Sequence, residues 1–227
     1  MSSCSSCDTS NVLTYTKMMA QPIYLDWYTS LRLYEYLEYK DDNGTSIEVC
    51  FFFTIQSNDK RQELQISDKD FWPGISIQYA TGKWRGSCIY HKQIHSYPSF
   101  IGHTHPIQSH SYPSVEDLFK VLKHQEILVS LIATRWGIWM IKVTPNTYQF
   151  NSVKNNTAKI TEMMKKLDSK YLNQLYYLEA GIDKETQLSS SDYKKIQIIA
   201  RDISIYLQLD VSLIRWDDIG IEGIRIL

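Results

Sequence analysis

The sequence has neither a long hydrophobic run nor a block of like charge. Its longest wholly apolar stretches, such as residues 127–129, span a few positions, whereas a helix needs roughly 20 apolar residues to cross a bilayer. The 24 basic and 25 acidic residues give a net charge of −1 and are mixed along the chain. These absences argue against a membrane-spanning protein and against nucleic acid as the main partner.

Cysteine is scarce, with 4 in 227 residues. Cys4 and Cys7 have half of a zinc-ribbon spacing, and Cys50 and Cys88 stand alone, so the sequence contains no disulfide framework and we expect reduced thiols. The opening MSSCSSCDTSN is polar and lacks the basic and apolar regions of a secretory signal. We therefore expect an intracellular protein, either cytoplasmic or nuclear.

Composition divides the chain into three parts. With 43% hydrophobic and 22% charged residues, the chain is long enough to fold around its own core. Residues 1–20 are predicted to be a flexible N-terminal arm. Residues 21–150 are predicted to form a core, and residues 151–227 a mainly helical C-terminal extension.

The core alternates helical and strand patterns, which predicts an α/β fold. A helix is predicted over residues 25–40, with its apolar face at Trp27, Leu31, Tyr34 and Leu37. A second helix is predicted over residues 114–125. Strands are predicted over residues 47–55, 63–66, 75–79, 87–90, 99–103, 127–134 and 136–143.

Two apolar stripes at helical spacing follow the core and predict a helical pair. These stripes must be buried against something, because a helix owes most of its stability to such packing. They pack either on the core or against a partner, and that partner could be a second copy of the chain. The sequence leaves both possibilities open. The stripes are Ile160, Met163, Leu167, Tyr171, Leu175 and Leu178, and Tyr193, Ile196, Ile199, Ile203 and Tyr206.

All six histidines fall between residues 91 and 124, and histidine is the commonest metal ligand. His103 and His105 stand two apart where a predicted strand runs into a loop, so their imidazoles project to one face. Asp117 lies in the first turn of the next predicted helix, with Ser114 as a capping residue. Two imidazoles and one carboxylate make the three-ligand set of a catalytic zinc, with a fourth position for water.

The segment His103-Thr104-His105-Pro106, seven residues, then Ser114-Val115-Glu116-Asp117 resembles the signature of the JAMM (MPN+) zinc metalloproteases. That signature is His-[Ser/Thr]-His-Pro, seven residues, Ser-x-x-Asp. The resemblance implies a cytidine-deaminase-like mixed sheet flanked by helices, with Zn²⁺ held by His103, His105 and Asp117. It implies hydrolysis of an amide in a protein substrate, typically the isopeptide bond of ubiquitin or a ubiquitin-like modifier.

The same family has an upstream glutamate in a form like Glu-x-x-Gly-x-Leu, and Glu48-Val49-Cys50-Phe51-Phe52-Phe53 is similar to it. Phe51 and Phe53 depart from that pattern. The resemblance implies that Glu48 is the general base and acid, and that Ser114 donates to the oxyanion of the intermediate. The competing carboxylates are Glu35, Glu38 and Glu63.

Three other interpretations stay open. A noncatalytic MPN-type scaffold would keep the fold without activity, and a RadC-like protein would keep the motif without an established proteolytic role. A nucleobase deaminase would need His-x-Glu and Pro-Cys-x-x-Cys, whereas this chain has His103-Thr104-His105 in that place, and its Cys-x-x-Cys at Cys4 and Cys7 lies far upstream with no proline before it. His91, His95 and His110 flank the site and would be either ordinary loop histidines or residues that orient the substrate or the ligands.

Overall fold

The computed structural model describes a mixed α/β protein. The described residues are 22–57, 61–66, 71–73, 75–78, 84–87, 99–124, 126–147, 156–183 and 186–227. The predicted arm over residues 1–20 lies outside them, as do His91, His95, Cys4, Cys7 and Cys88.

Eleven strands and five α-helices make up the described part of the chain. The strands are β1 (Ile23–Leu25), β2 (Val49–Ser57), β3 (Gln62–Gln65), β4 (Phe71–Pro73), β5 (Ile75–Gln78), β6 (Trp84–Ser87), β7 (Ser99–Thr104), β8 (Ile127–Thr134), β9 (Gly137–Val143), β10 (Leu209–Arg215) and β11 (Ile224–Arg225). The helices are α1 (Trp27–Glu35), α2 (Val115–Lys123), α3 (Thr157–Leu167), α4 (Asn173–Ala180) and α5 (Ser190–Leu207). A π-helical turn, Asp168–Leu172, joins α3 to α4.

One nine-stranded sheet organises the fold. Its order is β10-β9-β8-β7-β2-β3-β1-β11, and β4 pairs with β2 beside this path. The β7–β8 and β1–β3 pairs are parallel, whereas the other pairs are antiparallel. The α/β class and the mixed sheet expected from the sequence are therefore confirmed. A separate pair joins β5 and β6.

The segment β7–α2–β8 is a parallel crossover unit at the centre of the sheet. All eight residues of β8 are buried, as expected for a continuous apolar run covered on both faces. Because β7 ends where the chain turns toward α2, the last residues of β7 and the first turn of α2 lie at the same edge of the sheet. The histidines and Asp117 are thus brought together by the topology.

Gly102 allows β7 to lie tightly between its neighbours. A Cβ atom at this position would contact the Phe51 ring on β2 and would lie 2.6 Å from the carbonyl oxygen of Leu131 on β8. Both distances are shorter than real Cβ contacts, so any side chain at residue 102 would push the strands apart. The residue before His103 is thereby fixed as glycine by packing.

The C-terminal helices pack into the same core as the sheet. The buried positions of their predicted stripes are Leu167, Tyr171, Leu175, Ile196, Ile199 and Ile203, while Ile160, Met163, Leu178, Tyr193 and Tyr206 are partly buried. Packing within one chain therefore accounts for the burial of these stripes. A helix-mediated partner or homodimer stays a prediction. The C-terminal part also supplies β10 and β11, which the sequence analysis did not predict.

Two sequence-based expectations are wrong in detail. The first helix is α1 followed by a short 3₁₀ turn, and Trp27, Leu31 and Tyr34 are exposed while Thr29, Ser30 and Leu33 are buried. The strand expected over residues 47–55 begins instead at Val49. Of the strand expected over residues 87–90, all but Ser87, the last residue of β6, lies outside the described residues.

Cys50 is fully buried and disulfide-bonded. The expectation of reduced thiols is therefore wrong at this position. Disulfides persist mainly in oxidising compartments, so the intracellular location stays a prediction. Within the described ranges, no helix is both long and apolar enough to cross a membrane.

Candidate metal centre

Three buried side chains converge at the end of β7. His103 Nε2 lies 3.2 Å from His105 Nε2 and 3.3 Å from Asp117 Oδ1, and His105 Nε2 lies 3.4 Å from Asp117 Oδ2. All three residues are at most 8% exposed. They form a group of potential metal ligands whose atoms lie within 4.8 Å of one another.

The spacing of these atoms fits zinc. For zinc bonds of about 2.0–2.1 Å, tetrahedral geometry separates two ligand atoms by about 3.3–3.4 Å. His103 Nε2 lies 3.2 Å from His105 Nε2 and 3.3 Å from Asp117 Oδ1, while His105 Nε2 lies 3.4 Å from the other carboxylate oxygen, Oδ2. The two imidazole nitrogens and the carboxylate face each other away from water. Because their lone pairs repel, they also need a shared cation or proton between them. The donor set is therefore suited to one divalent metal ion.

Ser114 fixes Asp117 through a capping box at the start of α2. The backbone N–H and the hydroxyl of Ser114 both donate to Asp117 Oδ2 at 2.8 Å, and the Asp117 N–H donates to the Ser114 hydroxyl oxygen at 3.2 Å. One carboxylate thus both caps α2 and belongs to the group of potential ligands. The carboxylate also faces the positive end of the helix dipole.

A backbone carbonyl orients His105. Its Nδ1 lies 3.2 Å from the carbonyl oxygen of His110, and because a carbonyl can only accept, Nδ1 must carry the hydrogen. This tautomer turns the lone pair of Nε2 toward Asp117 and the centre, which is the arrangement of a metal-ligating histidine. His103 Nδ1 is buried and has no hydrogen-bond partner within the described residues.

Charge coupling shifts the pKa values of two of these groups. Burial alone would lower the pKa of His105, but the hydrogen bond and charge of Asp117, together with the charge of Glu48, raise it above 6.5. Burial would raise the pKa of Asp117, but His103 and His105 hold it well below 3.8. Without a metal ion, a proton on an imidazole would therefore balance the carboxylate.

This coupling predicts opposite pH responses for metal-free and metal-loaded protein. The raised pKa of His105 stabilises the metal-free fold below pH 6.5, and this contribution is lost as pH rises through the folded pKa. The lowered pKa of Asp117 stabilises it above pH 3.8, and this is lost as pH falls. Metal binding needs neutral imidazoles, so metal affinity should increase with pH.

Melting temperatures of chelator-treated and zinc-loaded protein, measured from pH 5 to 8.5, test this prediction. We expect the metal-free protein to lose stability above about pH 6.5, and the increment given by zinc to grow over the same range. His105→Gln should flatten the first effect. A metal-free protein that becomes more stable between pH 6.5 and 8.5 through His105 would contradict the assigned coupling.

Glu48 lies beside this centre, although it precedes β2 rather than belonging to it. The β2–β7 register pairs Cys50 with His103, and the Val49 N–H donates to the Thr104 side-chain hydroxyl at 3.0 Å. Glu48 therefore lies two residues before the partner of a candidate ligand, at the end of β7 where the three ligands meet. Glu48 is half-buried, and its charge contributes to the raised pKa of His105.

The competing carboxylates lie elsewhere. Glu35 and Glu38 are exposed, as expected for the solvated side of the first helix. Glu63 accepts from Arg61 at 2.6 Å and pairs with Gln56 on β2. Since Gln56 is eight residues beyond Glu48, these positions are separated by about 26 Å of extended chain.

An open groove of about 710 Å³ adjoins the centre. One wall contains His110, Tyr112 and Ser114, and the other is built by α3, the π-helical turn and α4, with Lys165, Asp168 and Tyr176. Burial, with the charges of Glu179 and Asp168, raises the pKa of Tyr112 to about 12. The phenol therefore stays protonated at neutral pH and can donate a hydrogen bond.

Sequence patterns did not reveal every residue near the ligands. The sequence leaves His110 either as an ordinary loop histidine or as a residue that orients the substrate or the ligands. Its ring lies 4.4 Å from the His105 ring, and its carbonyl makes the orienting hydrogen bond. The next residue, Ser111, contacts Arg135 and Glu179. Glu179 is 68 residues from Ser111, so no local motif could have indicated it.

Comparison with known proteins gives no relative for this chain: no family model, no curated protein and no solved structure matches it.

Proposed function

We propose that this chain is a zinc-dependent amide hydrolase of the JAMM type, on a cytidine-deaminase-like fold. The proposed substrate bond is the isopeptide bond of a ubiquitin or ubiquitin-like conjugate. The observation that carries the proposal is the buried His103, His105 and Asp117 set with separations of 3.2–3.4 Å. Its spacing suits zinc, and an open groove beside it supports access for a protein substrate.

His103, His105 and Asp117 would hold the ion, and zinc would supply a bound water of lowered pKa and a Lewis acid for the substrate carbonyl. Glu48, whose charge acts on His105, would take a proton from the attacking water and give it to the leaving amine. Its half-buried position would give it access to both. Two imidazoles with one carboxylate would leave the loaded site net positive.

The groove supports an extended segment of protein rather than a small molecule. It is open, and it runs from Ser114 to the turn that contains Asp168. Tyr112 and Tyr176 offer phenol donors and aromatic faces, and Glu116, Lys165 and Asp168 add charged groups of both signs. These polar and aromatic groups in an open groove support a peptide-like ligand.

The test is incubation of the zinc-loaded chain with a panel of ubiquitin and ubiquitin-like conjugates, read by mass shift. Cleavage of one conjugate, abolished by a chelator and restored by zinc, is the expected result. Zinc binding without cleavage of any conjugate would favour the noncatalytic scaffold or the RadC-like reading. Failure to bind zinc would remove the proposal altogether.

Ser114→Ala tests the proposed oxyanion contact. In the structure the hydroxyl donates to Asp117, so stabilising an oxyanion requires the hydroxyl hydrogen to turn toward the substrate. Loss of such a donor costs about 2.7–4 kcal/mol in the transition state, or roughly 10²–10³ in kcat. Loss of the cap costs about 1 kcal/mol of folding stability, and zinc should be retained because the Ser114 N–H still holds Asp117.

The matched control is Ser114→Thr, which keeps the hydroxyl and should recover most of the turnover. Rates are measured at equal zinc occupancy, alongside melting temperature. A Ser114→Ala protein whose activity falls only in proportion to lost zinc would show that the hydroxyl acts only on Asp117.

A further inference from the structure

The peptide bond between His110 and Ser111 is hydrogen-bonded at both ends. Its carbonyl, on His110, accepts from His105 Nδ1 at 3.2 Å, and its N–H, on Ser111, donates to Glu179 Oε1 at 2.8 Å. One amide thus links a ligand of the metal centre to a carboxylate on α4. The carboxylate comes from the C-terminal part of the chain, outside the signature that supplies the ligands.

Other contacts hold Ser111 in this position. Arg135 Nε donates to the Ser111 hydroxyl at 3.2 Å, and Trp139 Nε1 donates to the Ser111 carbonyl at 2.8 Å. Arg135 Nη2 also donates to Glu179 Oε1 at 3.4 Å. Ser111 is 1% exposed and Trp139 is fully buried, so these bonds form away from water, where they are strongest.

We propose that Glu179 is a positioning residue for the metal centre, acting on His105 through the His110–Ser111 amide. A carboxylate that accepts from an amide N–H polarises the amide and makes its carbonyl a stronger acceptor. The carbonyl then holds His105 Nδ1–H more firmly, which fixes the ring and raises the basicity of Nε2. The effect is that of a carboxylate–histidine–metal triad, with a peptide bond inserted between carboxylate and histidine.

Arg135 orients the Glu179 carboxylate. The guanidinium and the carboxylate are each mostly buried, at 11% and 16% side-chain exposure, and lie 3.4 Å apart. The same Arg135 binds the Ser111 hydroxyl. Glu179 and Arg135 therefore fix the loop between His105 and Ser114 from one side, while the capping box fixes Asp117 from the other.

The inference rests on the metal site of the proposed function, but not on hydrolysis, so its test reads metal affinity. Zinc dissociation constants of the full chain are measured by competition with a chromophoric chelator, for the wild type, Glu179→Gln and Glu179→Asp. We expect both variants to weaken zinc binding by about 10- to 100-fold. Glu179→Asp keeps a negative charge beside Arg135 but withdraws the oxygen that Ser111 and Arg135 share, so it covers the case in which Glu179→Gln does not fold.

The matched control is Leu178→Ala on the same helix. Leu178 is partly buried against the core, so its truncation loosens α4 without removing a polar contact of Ser111. This control should lower the melting temperature and keep the wild-type zinc affinity. The visible spectrum of the Co²⁺-substituted proteins gives a second readout, because a reoriented His105 changes the ligand field in the Glu179 variants but not in Leu178→Ala.

Wild-type affinity in both Glu179 variants would overturn the inference, as would an equal loss of affinity in Leu178→Ala. Either result differs from failure of the proposed function. A wild-type chain that binds zinc but cleaves no conjugate leaves Glu179 as a residue that positions a metal ligand. A wild-type chain that binds no zinc overturns both.

Discussion

Replacing His105 with alanine should reduce bound zinc from about one ion per chain to almost none after dialysis. The variant leaves His103 and Asp117, and two protein ligands are too few for a stable zinc site. It also removes the imidazole whose Nδ1 is anchored to the His110 carbonyl. Metal analysis of purified protein, with the melting temperature as a check on folding, measures the effect.

His110→Ala is the matched control for this experiment. It deletes a ring only 4.4 Å from the His105 ring but keeps the backbone carbonyl that His105 contacts. Zinc content should therefore stay close to that of the wild type. Full zinc retention in His105→Ala would mean that the ligands have been assigned wrongly.

Replacing Glu48 with glutamine should reduce hydrolysis by about 10²-fold or more while zinc stays bound. The amide matches the carboxylate in shape but cannot accept and return a proton. Glu48 lies close enough for its charge to act on His105 without belonging to the group of three potential ligands, so metal content and catalysis should separate in this variant. Single-turnover rates with a cleavable conjugate, at equal zinc occupancy, give the measurement.

Glu63→Gln is the control, because Glu63 pairs with Arg61 toward the far end of β2. It should have wild-type activity. The assignment of the base fails if Glu48→Gln remains active, and it moves to β3 if Glu63→Gln alone abolishes turnover.

The candidate metal ligands could be picked out from sequence because their grouping depends on local geometry. A two-residue spacing at a strand end and a carboxylate in the first turn of the next helix are both visible in the printed sequence, and β7, α2 and β8 lie where the pattern put them. The β7–β8 crossover then brings the two parts together. What the pattern could not give is the distance between the ligands, which depends on the tight strand spacing at Gly102.

Long-range packing explains the errors. The exposed face of α1 carries Trp27, Leu31 and Tyr34, while the smaller Thr29 and Ser30 face the core, so the largest apolar residues indicated the wrong side. In β10, Leu209, Val211 and Leu213 alternate with less buried residues. Alternation of this kind, with a period of two residues, indicates a strand. It is present in the sequence, but the stronger helical patterns beside it led to a prediction of a mainly helical C-terminal part.

Phe51 and Gly102 are partners across the β2–β7 pair. The aromatic ring fills the space where a side chain at residue 102 would lie, so the bulky residue on one strand is matched by the missing side chain on the other. A pattern search that scores each strand separately counts Phe51 only as a departure from the glycine of Glu-x-x-Gly-x-Leu. A search that scores the combined volume of residues facing each other across two strands would accept it, and would be better suited to finding distant relatives of this chain.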